Sequence, residues 1–315
     1  LIIMSITVVL LQMIKLFLII CIGFVLYKIK MIDDHTKAQL TKILLYVTTP
    51  ALIIDSFVKN MGSDKRDMLG ELFVIAIILY AALPVIAILL NVLLRIKKPL
   101  YGIYMFMTVF SNVGFMGFPV ADALFGSEGV FYAAVFNCIF NISVFTLGVF
   151  MINYGRENEA GGASGLSLKK ILNPGVLCSI VAVVIFLLEL PVPEVIMDVL
   201  SSVGGLTSPL AMIIVGASLA MMDIKEMFGD IKVYIYTIIR QIALPLLSWP
   251  VIDRFIENDV VATVTLIMTA MPVANTAVLF ATEYGCGEKE AAKVIFLTTL
   301  AAIVSIPVVM WVCVS

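Results

Sequence analysis

The sequence predicts an all-α integral membrane protein whose ten transmembrane helices form two inverted five-helix repeats. Three observations support this prediction. Hydrophobic residues make up 62% of the chain and charged residues only 13%, whereas soluble domains carry about 25% charged residues. Apolar runs of the length needed to cross a bilayer recur between charged breaks. One long polar stretch divides the chain into two halves that share a pattern.

Each apolar run is predicted to be helical because backbone polar groups in lipid must be hydrogen-bonded within their own segment. The first run, Ser5 to Tyr27, is too long for a signal-peptide core and has no basic segment before it, so it is predicted as the first span. The predicted spans are 5–28, 38–58, 69–95, 101–122, 129–153, 170–190, 195–222, 231–252, 260–282 and 289–313.

Basic residues predict the orientation of these spans. Lysine and arginine concentrate in loops that follow odd-numbered spans, as in the segment containing Arg95, Lys97 and Lys98. Such loops face the cytoplasm in most membrane proteins. We therefore predict a multi-pass protein of the plasma (inner) membrane with both termini extracytoplasmic and residues 154–169 cytoplasmic.

Residues 154–169 are rich in glycine, serine and charge, which is typical of a flexible linker. They separate a first repeat, 1–153, from a second, 170–315. A shift of 159 residues places Thr48-Thr49-Pro50 on Thr207-Ser208-Pro209 and Phe125-Gly126 on Tyr284-Gly285. Five spans per half require opposite insertion, which is the inverted repeat of many secondary transporters. The alternative is that the halves share only a hydropathy rhythm.

Spans four and nine are both interrupted, by SNVGFMGFP at 111–119 and by MPVANTA at 271–277. Proline removes a backbone donor, and interrupted helices at matching positions indicate a transporter binding site. The N-termini of half-helices favour a carboxylate. The alternative is a pair of proline kinks whose asparagines bond to neighbouring helices. The candidate substrate-binding residues here are Ser111, Asn112, Gly114, Pro119, Pro272, Asn275 and Thr276.

The segments SNVGFMGFP and MPVANTAVLFATEYG resemble the two signature segments of the bacterial auxin efflux carrier family, whose relatives include plant auxin efflux carriers and bacterial malate permeases. The resemblance covers the whole chain. It implies a scaffold of spans 1, 2, 6 and 7, a transport core of spans 3–5 and 8–10, and a crossing of broken helices four and nine. It also implies a homodimer and an elevator-like movement. The long central loop of the plant carriers is here a short linker, so its regulation by phosphorylation is not expected.

Further polar residues in the spans are candidate substrate-binding residues. Asn137 and Asn141 share one face of span five because they are four residues apart. Four others would lie on scaffold helices under the family layout, where they either line the substrate path or form hydrogen-bonded kinks: Thr49, Pro50, Ser208 and Pro209.

Charged residues within spans are expensive and are functional candidates by default. Arg240 lies inside span eight, where it either attracts an anionic substrate or pairs with Asp122 or Glu283. Asp122 and Glu283 follow the two breaks and are candidates for coupling to H⁺ or Na⁺; the alternative is that each lies at a helix end. Asp55, late in span two, is expected at the membrane interface.

These patterns predict a secondary or facilitative transporter of a small organic anion, a mono- or dicarboxylate, surrounded by membrane lipid and without a cofactor. A cation/proton antiporter is an alternative, although it would be expected to have acids where this sequence has asparagines. A non-transporting sensor is another. A single histidine, His35, and five scattered cysteines disfavour an enzyme or metal site. No basic patch with interleaved aromatics supports nucleic-acid binding.

Overall fold

The structure, a computed structural model, describes residues 6–154, 174–222, 229 and 231–314. In this part of the chain the secondary structure consists of helices, so most of the predicted linker lies outside the described residues. The helices are α1 (Ile6–Lys28), α2 (Asp34–Ile43), α3 (Thr49–Lys59), α4 (Ser63–Leu93), α5 (Tyr101–Val109), α6 (Phe118–Phe145), α7 (Leu147–Asn153), α8 (Pro174–Leu187), α9 (Glu194–Gly204), α10 (Thr207–Met221), α11 (Ile231–Ile238), α12 (Leu244–Phe255), α13 (Asp259–Ala270), α14 (Thr276–Glu283) and α15 (Glu288–Val314).

Seven helical segments among the described residues are long and apolar enough to cross a membrane, and two shorter apolar helices accompany them. This confirms an all-helical integral membrane protein. The count of ten spans and their inverted arrangement stay predictions. The seven segments are Val9–Lys28, Asp34–Lys59, Met68–Leu93, Val113–Asn153, Glu194–Met221, Ile231–Phe255 and Glu288–Val314, and the shorter helices are Val176–Leu187 and Asp259–Ala270.

Three π-helical turns widen the helices at fixed distances from proline. Each turn ends two residues before a proline, whose ring crowds the preceding turn and whose nitrogen has no hydrogen to donate. A wider turn absorbs that crowding while keeping the chain helical. The turns are Leu44–Thr48 before Pro50, Val113–Gly117 before Pro119, and Ile239–Ala243 before Pro245.

Most contacts between helices lie within two groups, which meet where α6 and α15 pack on α1, α3, α8 and α10. In the first bundle, made of α1, α2, α3, α8, α9 and α10, α1 packs along α10, and α3 packs on α8 and α9. In the second bundle, made of α4 to α7 and α11 to α15, α4 packs on α5 and α6, and α13 packs on α6, α12 and α15. The grouping parallels the scaffold and core that the family resemblance implies. That division, with its repeats and linker, stays a prediction.

Two glycines mark equivalent bends in the two halves. Gly126 divides α6 with φ 59°, and Gly285 separates α14 from α15 with φ 62°. Both angles lie in the left-handed region that glycine adopts at little cost. The two positions are separated by the same shift of 159 residues that aligns the sequence halves. Each half thus has a glycine with positive φ shortly after its short half-helix.

Candidate functional site

The two predicted helix breaks meet in the middle of the second bundle. Helix α5 ends at Val109 and α13 ends at Ala270. Beyond these ends, Ser111 and Val273 form an antiparallel bridge. The backbone N–H of Asn112 donates to the Pro272 carbonyl at 2.7 Å, and the N–H of Ala274 donates to the Phe110 carbonyl at 3.0 Å. Each break therefore supplies hydrogen-bond partners that the other lost when its helix stopped.

The second halves of the broken helices begin beside this bridge. Asn112 caps the half-helix that leads into α6, where its Oδ1 accepts from the Phe115 N–H at 3.2 Å. Asn275 occupies the N-cap position of α14 without a side-chain cap bond, and the buried Thr276 hydroxyl that follows has no hydrogen-bond partner among the described residues. First-turn N–H groups lack partners within their helix and carry the positive end of its dipole. The crossing thus presents two such ends.

Accessibility differs within this crossing. Ser111 and Asn112 are each only 3% exposed, whereas Gly114, Asn275 and Thr276 are half-buried. Asn112 therefore shapes the start of its half-helix, while the half-buried residues keep part of their surface accessible.

The Arg240 side chain forms hydrogen bonds to the first halves of both broken helices. It is 1% exposed and lies in the π-helical turn before α12. Its Nη1 donates to the Thr269 carbonyl at 2.7 Å, its Nε donates to the Met107 carbonyl at 3.5 Å, and its Nη2 donates to the Ser111 hydroxyl. A cation at a helix C-terminus offsets the negative end of the dipole. Arg240 thus holds the two C-terminal ends together.

The predicted ion pairs of Arg240 are not formed. None of the hydrogen bonds described for this side chain reaches a carboxylate. Asp122 instead bonds to Ser208, and Glu283 lies exposed as the last residue of α14. The positive charge of Arg240 therefore faces two helix C-terminal ends and a hydroxyl rather than a carboxylate.

A second support for the crossing comes from α15. The Thr298 hydroxyl accepts from the Val273 N–H at 3.2 Å, and the Thr298 carbonyl accepts from the Gln241 side chain at 3.2 Å. Both Thr298 and Gln241 are fully buried. This connection holds the α13–α14 break against α12 and α15.

Span five contributes Asn137 to the same region. A methyl group added to Gly114 would lie 3.8 Å from Asn137 Oδ1, so the buried Asn137 side chain faces the α5–α6 break. Asn141, one turn further, is half-buried and donates to the Asn137 carbonyl at 2.7 Å. Of these two residues, Asn137 therefore points toward the crossing, and Asn141 bonds to its backbone.

Asp122 lies apart from the crossing, where the two bundles meet. The hydroxyl of Ser208 on α10 donates to Asp122 Oδ2 at 3.2 Å, and the charges of Lys59 and Asp55 on α3 act on this carboxylate. Asp55, expected at the membrane interface, is 5% exposed and pairs with Lys59 at 2.8 Å, while its Oδ1 is buried with no partner among the described residues. The two carboxylates and Lys59 form a polar cluster between the bundles.

The remaining candidates are proline-linked positions. Thr49 is buried and Pro50 half-buried at the start of α3, Ser208 is half-buried, and Pro209 is exposed on α10. Pro119 is buried at the start of α6. Of these residues, Ser208 bonds to another candidate, Asp122. Within the described residues, no group of three His, Cys, Asp or Glu side chains could hold a metal ion.

Sequence reasoning missed the residues that support the breaks from a distance. Thr269, Thr298 and the Met107 carbonyl were not singled out, because a threonine or carbonyl in an apolar helix carries no distinctive signal. Gln241 had a signal, since it is a polar residue beside Arg240 in a membrane span.

Three proteins similar to this chain are named as transporters. The chain is 26% identical over 282 residues to a protein named uncharacterized transporter from Methanocaldococcus jannaschii, covering 89% of this chain and 90% of that one. A protein of the same description from Methanothermobacter thermautotrophicus is 22% identical over 300 residues, covering 92% and 93%. A Rhizobium meliloti protein named "Putative malonate transporter" is 21% identical over 206 residues, covering 64% and 63%.

Residues 8–310 match the family described as Membrane transport protein (Mem_trans). This match covers both bundles and both helix breaks. The chain therefore belongs to the Membrane transport protein family, the auxin efflux carrier family of membrane transporters.

Proposed function

We propose that this protein is a secondary or facilitative transporter that carries a small organic anion across the plasma membrane by alternating access, with its substrate site at the crossing of the broken helices. The observation that carries the proposal is the antiparallel bridge between Ser111 and Val273. It places two half-helix N-termini next to each other inside a helical membrane protein, which is the arrangement that transporters use to bind charged substrates.

Charge at the crossing favours an anion over a cation. The two positive helix ends lie near Arg240, whose side chain donates to two backbone carbonyls and a hydroxyl. In a medium of low dielectric such a charge acts strongly on its surroundings. The half-buried Asn275 and Thr276 supply neutral polar groups, and the buried Thr276 hydroxyl still lacks a partner. A carboxylate would satisfy that hydroxyl and the helix-end N–H groups together.

The substrate class is a mono- or dicarboxylate. Support comes from the name of the Rhizobium meliloti relative, which refers to malonate, a dicarboxylate. The same proposal includes ten spans in two inverted repeats, a homodimer, and an elevator-type movement of the second bundle against the first. The matching bends at Gly126 and Gly285 support the repeat.

A cation/proton antiporter is the second candidate. The observation that favours it is the cluster of Asp55, Lys59 and Asp122 between the bundles, where one carboxylate oxygen is buried without a partner. In the anion-transporter proposal the same carboxylates are the candidates for coupling to H⁺ or Na⁺. A sensor that binds the anion without moving it is distinguished by the absence of flux.

The first test is stabilisation of the purified protein by organic acids. Malonate, malate and indole-3-acetate are screened at two pH values, with and without sodium, and the melting temperature is followed. A ligand at about 100 times its Kd should stabilise the protein by roughly 2.7 kcal/mol. The acid that stabilises the protein is then tested for uptake into proteoliposomes.

Thr276→Val and Thr263→Val form a matched pair for this screen. Both replacements keep the side-chain shape, but the Thr263 hydroxyl bonds to the Asp259 carbonyl inside α13, away from the bridge. We expect Thr276→Val to fold normally and to lose most of the stabilisation by the acid, while Thr263→Val keeps it. Equal stabilisation of both variants by the acid would show that the substrate does not bind at the start of α14. A response to sodium or pH alone would favour the antiporter.

A further inference from the structure

A basic cavity lies at one end of the second bundle, away from the helix crossing. It has a volume of about 220 Å³ and is lined by the α4–α5 loop and by residues of α5, α11 and α15. Its lining includes four cationic residues and one acidic residue: Arg95, Lys97, Lys98, Lys232 and Glu290. The excess of positive charge makes this cavity suitable for an anion.

Helix ends add to the positive potential of this cavity. Leu100 caps the start of α5, Lys232 lies in the first turn of α11, and Glu290 lies in the first turn of α15. Three helix N-termini therefore converge where the lysines gather, and each contributes partial positive charge. Gly287 fixes this convergence, since a methyl group there would stand 2.9 Å from both Leu100 and Ile103 side-chain atoms.

The loop that carries three of the cations is held in place by the protein. The Asn91 side chain, fully buried near the end of α4, donates to the Tyr101 carbonyl at 2.8 Å. Tyr104, which lines the cavity, is 3% exposed and packs edge-on against Tyr236 at 5.1 Å between ring centroids. The cavity is therefore part of the packed structure.

The position of the cavity relative to lipid limits the identity of the anion. It lies where the apolar segments Met68–Leu93, Ile231–Phe255 and Glu288–Val314 begin or end, which is the depth of lipid headgroups. Next to its lining in the chain, Val92, Leu93 and Ile231 are exposed. A molecule with a phosphate in the cavity and acyl chains along these side chains would match both surfaces.

We propose that this cavity binds the phosphate headgroup of an anionic phospholipid. The orientation predicted from the basic loops puts it at the cytoplasmic surface, where polybasic segments attract anionic lipids. Lys97 and Lys98 reach the phosphate from the α4–α5 loop and Lys232 from α11, while Glu290 limits the affinity. The site is separate from the proposed substrate site, so either proposal can fail without the other.

The test uses the full-length protein in neutral detergent, titrated with dioleoylphosphatidylglycerol and, as a neutral lipid with the same chains, dioleoylphosphatidylcholine. Melting temperature and native mass spectrometry report binding. The double variant Lys97→Gln/Lys232→Gln is compared with Lys30→Gln/Lys42→Gln, which removes the same charge from exposed lysines elsewhere on the same predicted membrane face.

We expect Lys97→Gln/Lys232→Gln to need at least tenfold more phosphatidylglycerol for the same shift, while the control pair behaves like the natural protein. Glu290→Gln should need less phosphatidylglycerol for the same shift, because it removes the negative charge of the lining. This variant tests the proposal if the double variant does not fold. The proposal is overturned if the double variant matches its control, if phosphatidylcholine acts equally well, or if Glu290→Gln leaves the affinity unchanged. An equal shift with inorganic phosphate or glycerol 3-phosphate would contradict a phospholipid ligand and indicate that the cavity binds a soluble phosphate.

Discussion

Backbones come close to each other in two places, and the two contacts are built in opposite ways. One is the contact between α1 and α10, and the other is the crossing of the broken helices. In the first, a methyl group on Gly216 would lie 2.0 Å from the Ile20 carbonyl oxygen, and one on Gly23 would lie 2.2 Å from that of Ile213. Two unbroken helices thus touch through their backbones. In the second, the backbones separate from their helices and bond to each other at Ser111 and Val273.

The difference shows what a broken helix requires in a membrane. An intact helix satisfies its own backbone, so small residues and van der Waals packing are enough to hold it against a neighbour. An interrupted helix leaves carbonyls and N–H groups that lipid cannot satisfy. At the crossing these groups are paired by the opposite break, by Thr298 and by the charge of Arg240. Four predictions test this contrast, from the largest expected effect to the smallest.

The largest effect is expected from Arg240→Met. The change leaves two backbone carbonyls and the Ser111 hydroxyl without their donors in a buried site, and each unsatisfied group costs about 1–3 kcal/mol. We expect stability to fall by about 3 kcal/mol, measured as a lower melting temperature in detergent. Arg240→Lys should recover only part, because an ammonium cannot reproduce the planar guanidinium fork. The control is Arg254→Met, which changes an exposed arginine of α12. An equal loss of stability in this control would contradict a stabilising role of the Arg240 hydrogen bonds.

Gly216→Ala should destabilise the first bundle by about 1–3 kcal/mol, the usual cost of overpacking. The added methyl group meets a backbone oxygen that cannot rotate away. Gly70→Ala is the matched change in open space on α4, where we expect a gain of about 0.5–1 kcal/mol. Opposite signs in thermal unfolding would support the glycine contact. A gain in both variants would show that α1 and α10 separate at little cost.

Asn112→Ala should cost about 1 kcal/mol in stability through loss of a helix cap. Asn258→Ala is its control, since Asn258 Oδ1 caps α13 by accepting from the Val260 and Val261 N–H groups at 3.0 Å. We expect similar losses of melting temperature in the two variants but loss of organic-acid stabilisation in Asn112→Ala alone. Retained ligand stabilisation in Asn112→Ala would show that the Asn112 cap does not contribute to the proposed substrate site.

The smallest effect concerns the bond between Asp122 and Ser208, which joins the bundles at 3.2 Å. A double-mutant cycle with Asp122→Asn and Ser208→Ala should give a coupling energy of about 0.5–1 kcal/mol. If Asp122 couples ions, Asp122→Asn should also alter the pH or sodium dependence of uptake, whereas Ser208→Ala should alter it less. Identical flux profiles in the natural protein and Asp122→Asn would remove Asp122 as a coupling residue.

Much of the crossing was predictable from the chain because its signals are local. Proline, glycine and asparagine at 111–119 and 271–277 disturb the helices that contain them, and the structure breaks both helices there. The partners of Arg240 were not predictable, since Met107, Ser111 and Thr269 are distant in sequence. Its expected ion pair with Asp122 or Glu283 is absent from the bonds described for it. Asp55 shows the same limit, because its place late in a span did not reveal that the helices packed against α3 bury it.

The sequence by itself determined that this protein lies in a membrane, that it is helical and where its helices are interrupted. These features are local, because hydropathy and the backbone chemistry of proline act within one segment. Only the tertiary structure decided which backbone groups the two breaks exchange, that Arg240 bonds to both, and that four cations line one cavity near the ends of three apolar segments. These features depend on side chains and carbonyls that are distant in sequence and become neighbours only when the helices pack.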